Sequence, residues 1–246
     1  MRIKLKDNFE FGTQLSNVTV PDALRRKVAS GVDYFDTALG GQGFTPGAVT
    51  LFTGEAGAGK TTAMLTLADG LTRRGAQVVF NSGEESLFQL KMTAERLLLQ
   101  GRFVAGNEIH VPTLLKNCEK LRKASPDKPF FLIVDSLQCM DDGHYADGQI
   151  NSKSAERSLQ LITEWAKEHY TNPIAIGQVT KGGKFAGTNT LRHMVDTYVH
   201  MSIERKDPDL AGCRIMETEK NRYGGAGARI FLGMTEAGFK TIAVSG

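Results

Sequence analysis

The sequence predicts an α/β fold, with a mostly parallel central sheet flanked by helices and an antiparallel C-terminal extension. Three observations carry that reading. Gly54-Glu55-Ala56-Gly57-Ala58-Gly59-Lys60-Thr61 fits the pattern of Gly, four residues, then Gly-Lys-Thr, with an apolar strand before it (48–53) and a helix after it (62–68). Phe130-Phe131-Leu132-Ile133-Val134-Asp135 is a continuous apolar run ending in an acid, as in a strand buried on both faces of a parallel sheet. From Thr197 the pattern changes to short segments at 198–203, 213–218, 229–232 and 239–242, joined by tight turns.

The glycine-rich stretch has a defined chemistry. Glycines let the backbone curl so that successive N–H groups converge on phosphate oxygens. The helix that follows turns its positive end toward the same place. The nucleotide-binding residues are therefore expected to be Gly54, Glu55, Ala56, Gly57, Ala58, Gly59, Lys60, Thr61 and Thr62. Lys60 is expected to supply a point charge to the β- and γ-phosphates of a nucleotide, and the Thr61 hydroxyl to face Mg²⁺. Asp135 falls at the carboxyl edge of its strand, where ligands of parallel sheets bind, and is the second expected Mg²⁺ ligand.

Composition narrows the class. A chain of 246 residues suits one large α/β domain with a short N-terminal extension, read as an arm over 1–28 and a core over 29–246. A net charge of +3 is too small to imply nucleic acid by itself, so local charge must decide. Cys118, Cys139 and Cys213 are scattered and form no Cys-x-x-Cys pair, which argues against zinc and against a disulfide framework and fits a reducing cytoplasm. No apolar run is long enough for a signal peptide or a membrane span.

The remaining elements follow in order. Residues 1–28 read as a solvated tail, or as an arm that docks on a neighbouring subunit. Residues 30–41 read as a short helix ending on glycines, 76–81 as a second strand and 108–111 as a third. Leu87, Leu90, Ala94, Leu97 and Leu98 recur at helical spacing. Residues 116–123 read as a helix with a basic outer face and 140–153 as a long loop. Ser154 is expected to cap a helix that turns Leu159, Ile162, Trp165 and Ala166 inward, which makes Trp165 a core residue and not a stacking platform. Residues 173–178 read as another central strand. Beyond it, 180–194 contains Lys181, Lys184, Arg192 and His193, three glycines and no acid.

Six blocks together resemble the RadA/Sms family of RecA-like ATPases. They are residues 54–62, Ser82-Gly83-Glu84-Glu85-Ser86, Ile133-Val134-Asp135-Ser136-Leu137-Gln138, Gly177-Gln178-Val179-Thr180-Lys181, Leu191-Arg192-His193-Met194-Val195-Asp196-Thr197 and Lys220-Asn221-Arg222-Tyr223-Gly224. The last is the most specific, with Tyr223 where the family signature has Phe. The resemblance covers roughly residues 30–240 and implies a RecA-like P-loop fold and an ATP-driven ring, expected to be hexameric, related to DnaB-type helicases. The family's four-cysteine zinc module and Lon-protease-like domain have no counterpart here, so a stand-alone motor core is expected.

The resemblance also implies roles. Glu84, or Glu85 beside it, would orient the attacking water. Gln178 would sense the γ-phosphate; RadA often has His there, so Gln178 points toward the RecA and DnaB pattern. Lys220 and Arg222, on alternate positions of a strand, would project together and reach the γ-phosphate of a neighbouring subunit. The 180–194 loop would line a central channel for single-stranded DNA, with Lys181, Lys184 and Arg192 on phosphates and Phe185 stacking on a base. Recombination or replication proteins are the expected partners. A KaiC-like regulatory ATPase, acting through protein contacts, shares most of these features and is the rival expectation.

Overall fold

The computed structural model describes residues 11–151, 153–178 and 188–245. Two short helices come first, α1 (Asp22–Arg25) and α2 (Asp33–Ala38). Strands and helices then alternate as β1 (Thr50–Gly54), α3 (Lys60–Arg73), β2 (Gln77–Ser82), α4 (Leu87–Arg96), β3 (Val104–Gly106), α5 (Val111–Ala124), β4 (Phe130–Asp135), α6 (Ser154–His169) and β5 (Asn172–Gln178). Helix α7 (Thr188–Met194) leads into β6 (Thr197–Ile203), β7 (Arg214–Asn221), β8 (Arg229–Thr235) and β9 (Gly238–Ser245).

The described strands form one sheet in the order β3-β2-β4-β5-β1-β6-β7-β8-β9. Pairing is parallel from β3 through β6 and antiparallel from β6 to β9. That is the parallel sheet with an antiparallel extension expected from the change of pattern at Thr197.

Alternation along each strand divides the core into two layers. In β4, Phe131 and Ile133 join Phe52, Phe80 and the α3 residues Met64, Leu65 and Leu67 on one face. Phe130, Leu132 and Val134 join Leu51, Leu114 of α5 and Leu159, Ile162 and Trp165 of α6 on the other. The apolar run of β4 is continuous because both of its faces are covered. Trp165 is 9% exposed and packs edge-on against Phe130, so it is a core residue.

Two expectations are corrected. The third strand lies at Val104–Gly106, not at 108–111, where the chain makes only the single bridge His110–Asp141. Pro112 is compatible with this, since proline suits a first helical turn, where a missing N–H costs nothing, and α5 starts at Val111. Ser154 is the first residue of α6 and not its cap, since Lys153 holds the cap position and the Ser154 hydroxyl accepts from the Asn151 N–H at 3.0 Å. At the amino end, residues 1–10 lie outside the described residues, and 11–27 hold only single turns of helix with mostly exposed side chains.

Phe131 is fully buried, with the Phe44 ring edge-on at 5.3 Å. Phe131→Ala should therefore cost about 3–5 kcal/mol in a denaturant titration; a loss under about 1 kcal/mol would contradict this packing. His200 in β6 has its Nδ1 2.9 Å from the Thr53 hydroxyl, and burial pushes its imidazole below the ordinary range, against the pull of Glu219, Glu55 and Glu217. The unfolded chain then takes up that proton at higher pH than the folded one. Stability should fall as pH drops below about 6.5, and His200→Gln should flatten that slope in unfolding curves run between about pH 7.5 and 5.

Candidate nucleotide site

Parallel register brings the chemistry to one edge of the sheet. Gly54 at the end of β1 lies beside Gln178 at the end of β5, and Ser82 at the end of β2 lies beside Asp135 at the end of β4. Carboxyl ends of parallel strands are where such sheets bind ligands. The glycine-rich loop, Glu84, Asp135 and Gln178 thus converge although they span more than half of the sequence.

The loop between β1 and α3 is built for close approach. Gly57 and Gly59 both have left-handed φ, at 76° and 93°. Gly59 precedes the first turn of α3, and a Cβ there would sit 2.5 Å from Cζ of Phe239. Phe239 comes from β9, so the antiparallel extension braces the loop. Lys60 folds back to donate to the carbonyls of Gly54 at 3.0 Å and Glu55 at 2.9 Å. Its ammonium therefore stands inside the curl, where burial lowers its pKa and Asp135 and Glu84 oppose that.

The acidic side of the site is compact. The Thr61 hydroxyl donates to Asp135 Oδ2 at 2.8 Å. Burial pushes the Asp135 carboxyl up to about 6, opposed by Thr61 and reinforced by Glu84 and Glu85. A hydroxyl and one carboxylate side by side, next to a phosphate cradle, form the donor set Mg²⁺ takes when it keeps most of its waters. A cation there would also reverse the push on Asp135, so the residues present fit the metal.

Glu84 is held at its carboxylate. Gln178 Nε2 donates to both of its oxygens, at 2.8 and 2.9 Å, and the Ser136 hydroxyl donates to Oε1. Cys139 Sγ lies 3.8 Å from the same oxygen. Glu85 is placed by its backbone N–H on the Ser82 hydroxyl, at 2.9 Å. Of the two glutamates, Glu84 is therefore the one that meets Gln178.

Lys220 and Arg222 lie elsewhere. Lys220 donates to the carbonyls of Arg192 at 2.9 Å and Val195 at 2.6 Å, at the end of α7. Arg222 is one residue past β7, and its Nη1 pairs with Asp196 at 3.1 Å. Asn221 pairs with Thr197, and Thr197 with Thr50, at the amino end of β1. The glycine-rich loop starts four residues further along β1, about 13 Å away at the rise of a strand.

Arg192 on α7 pairs with Glu219 at 2.6 Å and lies over the Tyr198 ring, 4.4 Å from its centroid. Lys181, Lys184 and Phe185 lie outside the described residues. One contact to the loop escaped the sequence reading. Arg205, after β6, pairs with Glu55 at 2.6 Å. The partners are 150 residues apart and match no local pattern, so nothing in the sequence marked them.

Comparisons with known proteins agree with this geometry. A family model described as ATPase: KaiC matches residues 28–101. The DNA repair protein RadA of Aquifex aeolicus is 32% identical over 214 residues, 87% of this chain and 46% of that protein. RadA of Mycobacterium tuberculosis is 33% identical over 216 residues, 85% of this chain and 42% of that one. The chain thus spans under half the length of these relatives. Among solved structures, the ATPase domain of G40P superposes with a TM-score of 0.73 at 14% identity, covering 90% of this chain and 93% of that one. A KaiC-like protein of Pyrococcus horikoshii gives 0.71 at 20% identity, covering 89% and 99%. Fold, motif order and these similarities agree: the chain has the fold of a RecA-like ATPase and is similar, over most of its own length, to under half of each RadA protein.

Proposed function

We propose that this chain is the motor core of a ring, hydrolysing ATP between subunits while it moves on single-stranded DNA in repair or recombination. The observation that carries the reading is the double hydrogen bond from Gln178 to Glu84, because the basic stretch with Lys181 and Lys184 follows directly after Gln178. A change at the nucleotide then has a covalent path to a DNA-binding surface that ends at Arg192.

In this reading Thr61 and Asp135 hold Mg²⁺, which neutralises phosphate charge. Lys60 leaves the loop carbonyls for the β- and γ-phosphates. Glu84 accepts a hydrogen bond from the attacking water and aligns it with the γ-phosphorus. Gln178 exchanges one Glu84 oxygen for a γ-phosphate oxygen, and loss of that phosphate returns it and shifts the basic stretch that follows. Lys220 and Arg222 sit too far from their own loop to serve it, so they serve the site of a neighbouring copy. Hydrolysis then requires assembly.

A KaiC-like regulatory ATPase is the second reading, favoured by the family model over residues 28–101. It keeps the nucleotide site and replaces DNA by a protein partner.

Arg222→Ala should lower turnover by about 10³-fold or more, as for other cations supplied to a transferring phosphoryl group, with nucleotide affinity unchanged. Steady-state ATPase assays and a fluorescent-nucleotide titration check this. Near-normal turnover in that variant would contradict action in trans. DNA retention by the wild-type chain should also weaken steeply as salt rises, in an anisotropy titration with a labelled oligonucleotide.

A further inference from the structure

A second charged cluster lies at the opposite edge of the sheet from the nucleotide loop, and the proposed hydrolysis leaves its central residue without a part. Asp196, in the turn between α7 and β6, is 2% exposed. A carboxylate this deep is stable only when its charge is met by donors. Three separate elements supply them. The Val49 N–H before β1 donates to Oδ2 at 3.0 Å, the Lys167 ammonium on α6 pairs with the same oxygen, and Arg222 pairs with Oδ1 at 3.1 Å. The backbone repeats the tie: the Arg222 N–H donates to the Asp196 carbonyl at 2.9 Å, and the Asp196 N–H to the Val49 carbonyl at 3.0 Å.

The consequence for Arg222 is geometric. Its side chain remains 56% exposed, although the carboxylate it touches is buried. A guanidinium has five N–H donors in a fixed fork, and Nη1 is the one committed to Asp196. Fixing one corner of a planar group sets the direction of the others. With Lys167 and Arg222 set against one carboxylate, the cluster keeps a surplus positive charge, so Arg222 is oriented without being neutralised. The chain just beyond is fastened as well. The Lys27 ammonium donates to the Tyr223 carbonyl at 2.8 Å, and the Lys167 ammonium stands 5.9 Å from the centroid of the Tyr223 ring.

We propose that Asp196 is the positioning residue that aims Arg222 at the phosphate of a neighbouring copy, with Lys167 as the counter-charge that leaves Arg222 free to act. This rests on the reading that Arg222 works in trans. Asp196 touches no nucleotide. It lowers the entropy cost of presenting a long side chain across an interface.

Mixed assemblies separate this role from a merely structural one. One chain carries Arg222→Ala and keeps a whole nucleotide site. The other carries Glu84→Gln and keeps a whole Arg222. Each is inactive alone, and their mixture should recover ATPase activity. Asp196→Asn added to the Glu84→Gln chain should lower the recovered kcat by about tenfold to a hundredfold, the worth of one charge-assisted hydrogen bond, without moving KM. Added to the Arg222→Ala chain, it should change nothing. Equal losses in both placements, or a rise in rate, would overturn the proposal. If Asp196→Asn does not fold, Lys167→Gln on α6 is placed in the same two ways. It should shift the recovered rate only from the Glu84→Gln chain, and the absence of that shift overturns the proposal. No recovery in the parental mixture overturns action in trans itself, and this proposal with it, which is a different failure from a silent Asp196 change.

Discussion

Parallel register between β1, β2, β4 and β5 is the constraint on which the rest depends. It sets Gly54 beside Gln178 and Ser82 beside Asp135, and so places the glycine-rich loop, Asp135 and the Glu84–Gln178 pair at one edge. A slip of one residue in β4 would turn Phe131 and Ile133 to the wrong layer and carry Asp135 off the edge. The packing of two fully buried layers therefore fixes the chemistry as well as the fold.

The same sheet has two charged ends with opposite balances of charge. At the carboxyl end, Asp135 and Glu84 crowd around Lys60, and burial pushes the pKa of the Asp135 carboxyl up to about 6. That end is short of positive charge, and in the proposed reading Mg²⁺ and a cation from a neighbouring copy would answer it. At the amino end, Lys167, Lys220 and Arg222 gather around the single carboxylate of Asp196 and the carbonyls that close α7. That end has positive charge in surplus. In a ring of like copies the surplus of one subunit answers the deficit of the next, the head-to-tail arrangement that closed rings use.

Much of this was legible because it is local. The glycine-rich loop, the apolar run into Asp135 and the change to short strands after Thr197 each lie within one window of sequence. Elements without such a window were misread. Strand β3 has three residues and no fully buried side chain, so it leaves no apolar run to find. Pro112 fits a helix start as well as it fits a strand end, and only packing decides. The Asp196 cluster joins Val49, Lys167 and Arg222, which are 147, 29 and 26 residues from Asp196. No spacing rule reaches that far. The Lys-x-Arg pair was visible as a motif, but the carboxylate that holds its arginine was not.

The most direct measurement is the rate of ATP hydrolysis with and without single-stranded DNA, at low and at near-physiological salt. Strong stimulation by DNA, weakening as salt rises, is the result expected of the proposed motor, in which Gln178 is followed by a basic stretch of sequence. Hydrolysis indifferent to DNA, with no DNA retained at low salt, would contradict that account and leave a regulatory ATPase built on the same site.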